Sequence, residues 1–455
     1  MTMSSDRDTG GVPPRARRAL AAVLTAGVVG AVLSATLVVA PDARAAEPGE
    51  TWIPELSLDG GDDVNVVATA GAIRLADGVV RAQSARSPYA EGELLLPPRR
   101  TAAPVDRVDA RATADVPPGG EVHVDVRGLR ANGTWSQWTP AEPGAPAVLA
   151  QPTTDLQTRV TLVAGDFGAS PSLQRLWLAA TRGPAQPLPS TTAPAPTTTT
   201  PPAPTTTPAP TTTKPPVTTT PAGPLATPAV SSRVFATRIG LVGNSTANGH
   251  VVKPRDHFVA LPSRRGLAPK GTGDYTVKVC AENGRCSWSP VWDVGPWNIR
   301  DDYWNTPGAR QEWKDLPQGF PQAQAAYQRG YNGGKDGFGR RVANPAGIDL
   351  ADGTYYDDLQ LRDNSWVTVT YLWTGTAPSA LARPTNAPTI VVRSAPTDSS
   401  SAVGAVAAGA RMAVTCTAAG QLRAGSQGTS DRWLQVGPQQ YVPAAAVEAP
   451  RVSSC

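Results

Sequence analysis

Residues 183–230 constrain the fold more than any other part of the chain. They are dominated by Pro, Thr and Ala in units such as TTTT and PPAP, with Lys214 as the lone charge. Such a composition cannot bury enough apolar surface to repay the entropy of folding. The stretch is therefore expected to be an extended, disordered, polyproline-rich linker. The segments on either side must then each build a core of their own. The whole chain, with 47 Pro and 43 Gly in 455 residues, is too rich in both for a helical protein. With 40% hydrophobic and 17% charged residues it suits several small β domains joined by loose segments.

Residues 1–46 read as a signal peptide. Arg15, Arg17 and Arg18 form a positive end, Ala19–Ala40 is uncharged and mostly apolar, and Ala43-Arg44-Ala45 supplies the small residues of a cleavage site. The apolar run is also long enough for an uncleaved anchor. Cleavage implies a secreted or envelope-associated protein with no stable membrane insertion afterwards. From residue 46 onward 36 basic side chains face 34 acidic ones, so no basic stripe remains to neutralise phosphates, and nucleic acid is not expected as a partner. A monomer without a cofactor is expected. The four cysteines pair most simply by proximity, as Cys280–Cys286 and Cys416–Cys455, although three pairings are formally open. Such bridges suit an oxidising exterior. A metal site is not expected, because no histidine lies close in sequence to either pair.

Residues 47–182 carry short strand signals between turns, the pattern of a β-sandwich. In GEVHVDVRGL (120–129), Val122, Val124 and Val126 alternate with His123, Asp125 and Arg127, which predicts an apolar face and a solvent-facing polar one. GTWSQW (133–138) places Trp135 beside Trp138, either as faces for stacking on sugar rings or as core. Residues 231–378 begin and end in strand patterns, RVFATRIGLVG (233–243) and WVTVTYLW (366–373). Between them lies an insertion, 299–343, rich in Trp, Tyr and Gly, with one short helix expected at Pro321–Gly330. Its GYNGGKDGFG run lacks the preceding strand and the Lys-Ser/Thr end of a phosphate-binding loop. Residues 386–455 form a last, short β-rich module.

Two stretches of the central module combine strand pattern, turn chemistry and acids. VKVCAENGRCSWSPVWDVGPWN (277–298) reads as a strand, a tight Asn-Gly turn between two cysteines, a second strand, and an Asp-x-Gly-Pro corner that holds Asp293. NPAGIDLADG (344–353) supplies Asp349. An Asp before Gly-Pro commonly caps its own turn, and Asp349 or Asp352 suits the cap of a short helix, so each acid also has a structural reading. His257 in RDHFV has one too, as a loop histidine.

NSTANGHVVKPRDHFVALPS (244–263), YTVKVCAENGRC, WDVGPWN and GIDLADG follow one another in the order of the motifs of the rare lipoprotein A family. The chain resembles that family, related to expansins and barwin-like proteins, across roughly 130 residues. The resemblance implies a double-psi β-barrel and cleavage of peptidoglycan glycan of the lytic-transglycosylase kind. It carries the catalytic acid onto Asp349, an orienting or tuning role onto Asp293, and the histidine onto His257. Here His257 follows Asp rather than Ala and is spaced differently from Leu261-Pro262, Val294 stands in place of the corner arginine, and Ala351 replaces a serine. The aromatic insertion has no counterpart in short members of the family. Trp297, Trp304 and Tyr331 are the candidate substrate contacts. The last module, through VRSAP, VGAVAAG, WLQV and YVPAAAV, resembles bacterial SH3 domains, which bind cell-wall peptides or decorate secreted hydrolases. The GxWSxW and LQxRVxL patterns are similar to sandwich modules of bacterial cell-wall proteins.

The expected fold class is thus mainly β and multi-domain: a β-sandwich, a Pro/Thr-rich linker, a double-psi β-barrel and an SH3-like barrel. Two functions are compatible with it. One is a cell-wall protein that binds and cleaves peptidoglycan or a related polysaccharide through Asp349. The other is non-catalytic, a wall-binding protein or a secreted protease inhibitor.

Overall fold

The computed structural model describes residues 49–58, 61–77, 85, 87–183 and 226–455. The expected signal peptide, and residues 184–225 of the expected linker, lie outside the described residues. The protein is mainly β and multi-domain, with 46% of residues in strands against 9% in helices and a closed barrel of six strands among several sheets.

In the N-terminal sandwich, Arg99–Asp115 pairs antiparallel with both Ala147–Val163 and Ser172–Thr181, and Glu121–Gly128 lies along the other edge of Ala147–Val163. Ile73, Leu94, Val108, Leu162 and Leu176 anchor its core, joined by Val124 and Val126 from the predicted apolar face. The opposite face of that strand departs from the expectation of solvent exposure. Asp125 and Arg127 are buried, because this face is covered by the central module. Arg127 pairs with Asp274 at 3.0 Å, while Arg159 holds Asp125 at 3.0 Å and donates to the Arg264 carbonyl at 2.9 Å. His123 bonds Glu121 at 2.6 Å and Arg300 at 3.2 Å, so it too belongs to this boundary.

The GTWSQW segment is the plug of the boundary. Trp138 has no exposed surface and packs within the core of the central module, its Nε1 donating to the Leu267 carbonyl at 3.3 Å. The Arg127 guanidinium lies 4.5 Å from the ring of Trp135 and 4.4 Å from that of Trp138, with Arg159 a further 4.6 Å from Trp138. Tyr275 donates to the Ser136 carbonyl at 2.6 Å. Trp138 therefore cannot stack on a sugar. Desolvated cation–π contacts of this kind contribute about 2 kcal/mol each, which is why a polar strand face tolerates burial here.

The barrel strands are β1 (Ser231–Arg238), β2 (Val259–Leu261), β3 (Thr276–Ala281), β4 (Cys286–Val294), β5 (Ala346–Leu350) and β6 (Ser365–Tyr371). They close in the order β1-β6-β3-β4-β2-β5 and back to β1; β1–β5 and β4–β2 are parallel and the other four pairs antiparallel. Val234, Val259, Val277, Val291, Ile348 and Val369 fill the interior. Cys280 and Cys286 stand directly opposite one another in the β3–β4 hairpin and are bridged. The hairpin loop is one residue longer than a tight Asn-Gly turn: Gly284 donates to the Ala281 carbonyl and sits at φ 83°, a conformation glycine adopts without strain.

In the insertion, the helix α1 (Gln322–Arg329) has Pro321 as N-cap and Gly330, at φ 65°, as C-cap. It is anchored where the Gln322 amide donates to Asp301 at 2.7 Å. The C-terminal module, bridged by Cys416–Cys455, joins the barrel through its strand Ala402–Ala407, which runs parallel to β4. Trp288 and Cys286 point out of the barrel into that module's core, beside Ile390, Val406 and Leu434. Trp433 is core as well, its Nε1 donating to the Gln421 carbonyl at 2.9 Å.

Candidate functional site

Four residues form one row across adjacent barrel strands. Thr237 on β1 is in register with Asp349 on β5, Asp349 with Ala260 on β2, and Ala260 with Asp293 on β4. Two bulges put them on one face. The register of β1 with β5 jumps across Gly347, and that of β2 with β4 jumps across Trp292. Each extra residue re-aims the side chain that follows, as β-bulges do. Asp349 and Asp293 are thereby turned out of the barrel, while Ile348 and Val291 point in.

The two acids then part company. Asp349 lines an open groove of about 400 Å³ with Thr237, Trp297, Arg340, Asn344 and Asn364. The Thr237 hydroxyl donates to Asp349 Oδ1. Asp293 does not reach the groove. It has no exposed surface, and its Oδ1 accepts the Ala247 backbone amide at 2.8 Å, which fixes the loop that carries Thr246–His250. Its place is a backbone cap, so it is set to shape this loop rather than to touch a ligand in the groove.

The Gly-Pro corner after Asp293 builds the wall. The Gly295–Pro296 peptide is cis, and Trp297, at φ 62°, is half-buried and lines the groove. Trp297 Nε1 donates to Asn344 Oδ1 at 3.1 Å. Arg340, itself on the lining, braces the wall by donating to the Trp297 carbonyl at 2.7 Å and to Asp336 at 2.7 Å. The Arg238 guanidinium leans toward Asp352 at 3.3 Å. One lining residue comes from the N-terminal module: Ala85, whose amide donates to the Val294 carbonyl at 3.2 Å.

The remaining candidates lie elsewhere. His257 is buried, its Nδ1 3.1 Å from Asp358 Oδ2, and is not part of the groove lining. Asp358 in turn accepts from Ser287 at 2.7 Å, and the chain continues through Ser289 to Thr354. Serine, histidine and aspartate meet there, but the hydroxyl faces the carboxylate rather than the imidazole, so no nucleophile–base pair forms. The network ties the turn at Gly353–Asp358 to β4. Trp304 is wholly buried, stacked on Tyr371 at 5.4 Å with its Nε1 on Gln137, and is a core residue rather than a substrate contact. Tyr331 donates to Asp315 at 2.7 Å, lies edge-on to Trp313, and is outside the groove lining; burial, followed by that bond, pushes its phenol up to about 12. Thr237, Asn344, Arg340 and Asn364 were not singled out from the sequence. Thr237 had one signal, its place in the alternating RVFATRIGLVG strand.

Residues 230–370, the barrel region, match the family model described as Domain of unknown function (DUF8814). No curated protein matches the chain.

Proposed function

We propose that the protein is exported and acts at the cell envelope. There its barrel groove binds a wall polysaccharide, peptidoglycan or a related glycan, and cleaves it with Asp349 as general acid. The observation that carries this reading is that Asp349 is, among the described residues, the one carboxylate on the groove lining, set beside the aromatic wall of Trp297. The ordered resemblance to the rare lipoprotein A family supports the choice of glycan.

A single acid also narrows the mechanism. Hydrolysis by two carboxylates needs a second one within about 5–10 Å facing the same bond. Asp293, about 10 Å away at two strand spacings, is spent on the Ala247 amide instead. Cleavage by one group remains open. Asp349 passes its proton to the glycosidic oxygen as that bond breaks; the sugar's own 6-hydroxyl then closes on the anomeric carbon to give an anhydro end, its proton returning to the Asp349 carboxylate. Trp297 would hold a pyranose ring by its apolar face, while Asn344 and Asn364 offer amides to ring hydroxyls.

A second reading has its own support. Asp349 is nearly buried and engaged by Thr237, an arrangement equally suited to bracing a groove that binds without cutting. Incubation with purified cell walls separates the two. Soluble anhydro-ended fragments that vanish in Asp349→Asn support cleavage. Sedimentation with the walls and no fragment release supports binding alone.

A further inference from the structure

A second cavity, of about 500 Å³, lies where sandwich, barrel and C-terminal module meet. Thr134 lines it from the first, Lys278, Trp288 and Leu372 from the barrel and its exit, Val436 and Pro438 from the last. Its walls are largely apolar, with two cations on the lining: Arg411, which faces Asp274, and Lys278. Lys278 is half-buried, its Nζ 2.6 Å from Gln440 Oε1 and 4.7 Å above the Trp288 ring. Among the described residues no carboxylate forms an ion pair with it.

The charge balance around the cavity is uneven. Among the described residues Asp274 is the one carboxylate on the lining, and it is held by Arg127 at 3.0 Å and faced by Arg411 at 3.7 Å. One buried donor at this wall, Trp373 Nε1, makes no hydrogen bond, and Arg411 Nε has only its 3.7 Å ion pair with Asp274. Burial pushes the Lys278 amine down to about 8, with no neighbouring carboxylate to offset it. An ammonium stripped of water and unpaired is costly, and an incoming anion relieves that cost. A volume of a few hundred Å³ with largely apolar walls and a few convergent polar groups is the form of a small-ligand site, and Lys278 is the lining cation that Asp274 does not pair.

We propose that this junction cavity binds a ligand carrying one carboxylate on a small apolar body, the carboxylate meeting Lys278 and the body lying against Trp288, Leu372 and Val436. The same chemistry is offered by a free organic acid and by the C-terminal end of a peptide. It does not depend on the Asp349 groove.

Titration of the full chain with octanoate and with N-acetyl-alanyl-alanine tests it, each beside its neutral amide, read by tryptophan fluorescence from Trp288 and Trp373. At pH 7 at least one acid is expected to saturate, at least 10-fold tighter than its amide. Saturation by octanoate alone identifies a free acid, and by the dipeptide alone a chain end. Affinity is expected to fall as pH rises from 7 to 9.5 and Lys278 loses its proton; the other charged groups at this wall are Arg411 and Asp274, with Arg127 behind Asp274. Lys278→Met should abolish the preference and Lys278→Arg retain it. Equal binding of acid and amide, no saturation by either acid, or unchanged binding in Lys278→Met overturns the proposal. Should Lys278→Met fail to fold, the amide and pH comparisons on the unaltered chain decide.

Discussion

Asp349 and Asp293 flank Ala260 in a single row across the barrel, yet only Asp349 opens onto the groove. Register alone would make them a pair. The Ala247 amide makes them different, because it claims Asp293 for the loop above it.

That difference predicts opposite phenotypes. Asp293→Ala leaves a buried amide without its acceptor, a cost of about 1–3 kcal/mol. A lowered urea midpoint with this variant is therefore expected. Asp349→Asn keeps the shape of its site and is expected to shift stability by less than about 1 kcal/mol, while altering wall binding or cleavage. Matched denaturation curves and wall-binding assays check both. Equal destabilisation by the two variants would show that the acids share a structural role.

Trp138 is the second test. It is wholly buried across the boundary between sandwich and barrel, so Trp138→Ala is expected to cost about 3–5 kcal/mol. Trp135 is half-buried with one guanidinium on its face, and Trp135→Ala should cost only about 1 kcal/mol. Limited proteolysis between the sandwich and the barrel should accelerate in the first variant and hardly in the second. Carbohydrate binding that depends on Trp138 without loss of stability would contradict this placement.

Much of this architecture was legible because it is local. Alternation in 120–129, paired cysteines around Asn283-Gly284, and Pro321 with Gly330 around a helix each depend on a few neighbouring residues. What stayed hidden depends on partners far away in the chain. Asp125 and Arg127 look like a wet face until Asp274 and Trp138 cover them. Trp304, in a loop-rich segment, has the composition of a ligand contact, but Gln137 and Tyr371 draw it into the core. The acid row is illegible for another reason. Period-two reading misplaces every residue after a bulge, and the bulges at Gly347 and Trp292 precede the two aspartates.

Asp301 gives a pH prediction of unusual sign. It is wholly buried against Arg310, and burial outweighs that cation, pushing the carboxyl up to about 6. In the unfolded chain an aspartate titrates near about 3.9, so between these values the folded state binds the extra proton. Its contribution to stability is therefore full below about 4 and lost as pH rises through about 6. Urea midpoints of the unaltered chain relative to Asp301→Asn should decline over that interval. A difference that grows with pH would mean that Arg310 dominates.

The two disulfides should differ in weight. Cys280–Cys286 closes a separation of 6 residues within a hairpin already held by backbone bonds, whereas Cys416–Cys455 spans 39 and ties the last residue of the chain to a strand. Loop-closure entropy assigns about 2 kcal/mol to the first and about 4 kcal/mol to the second. The shorter bridge has a compensating role, since Cys286 belongs to the core shared with the C-terminal module through Trp288 and Val406. Replacing each pair by alanine and comparing urea midpoints is the check. The Cys416→Ala, Cys455→Ala variant should lose more stability, and the Cys280→Ala, Cys286→Ala variant should show its loss in the docking of the C-terminal module, seen as faster proteolysis near residues 379–389. A larger loss from the short bridge would place the stabilisation in packing around Cys286 instead of in the unfolded chain.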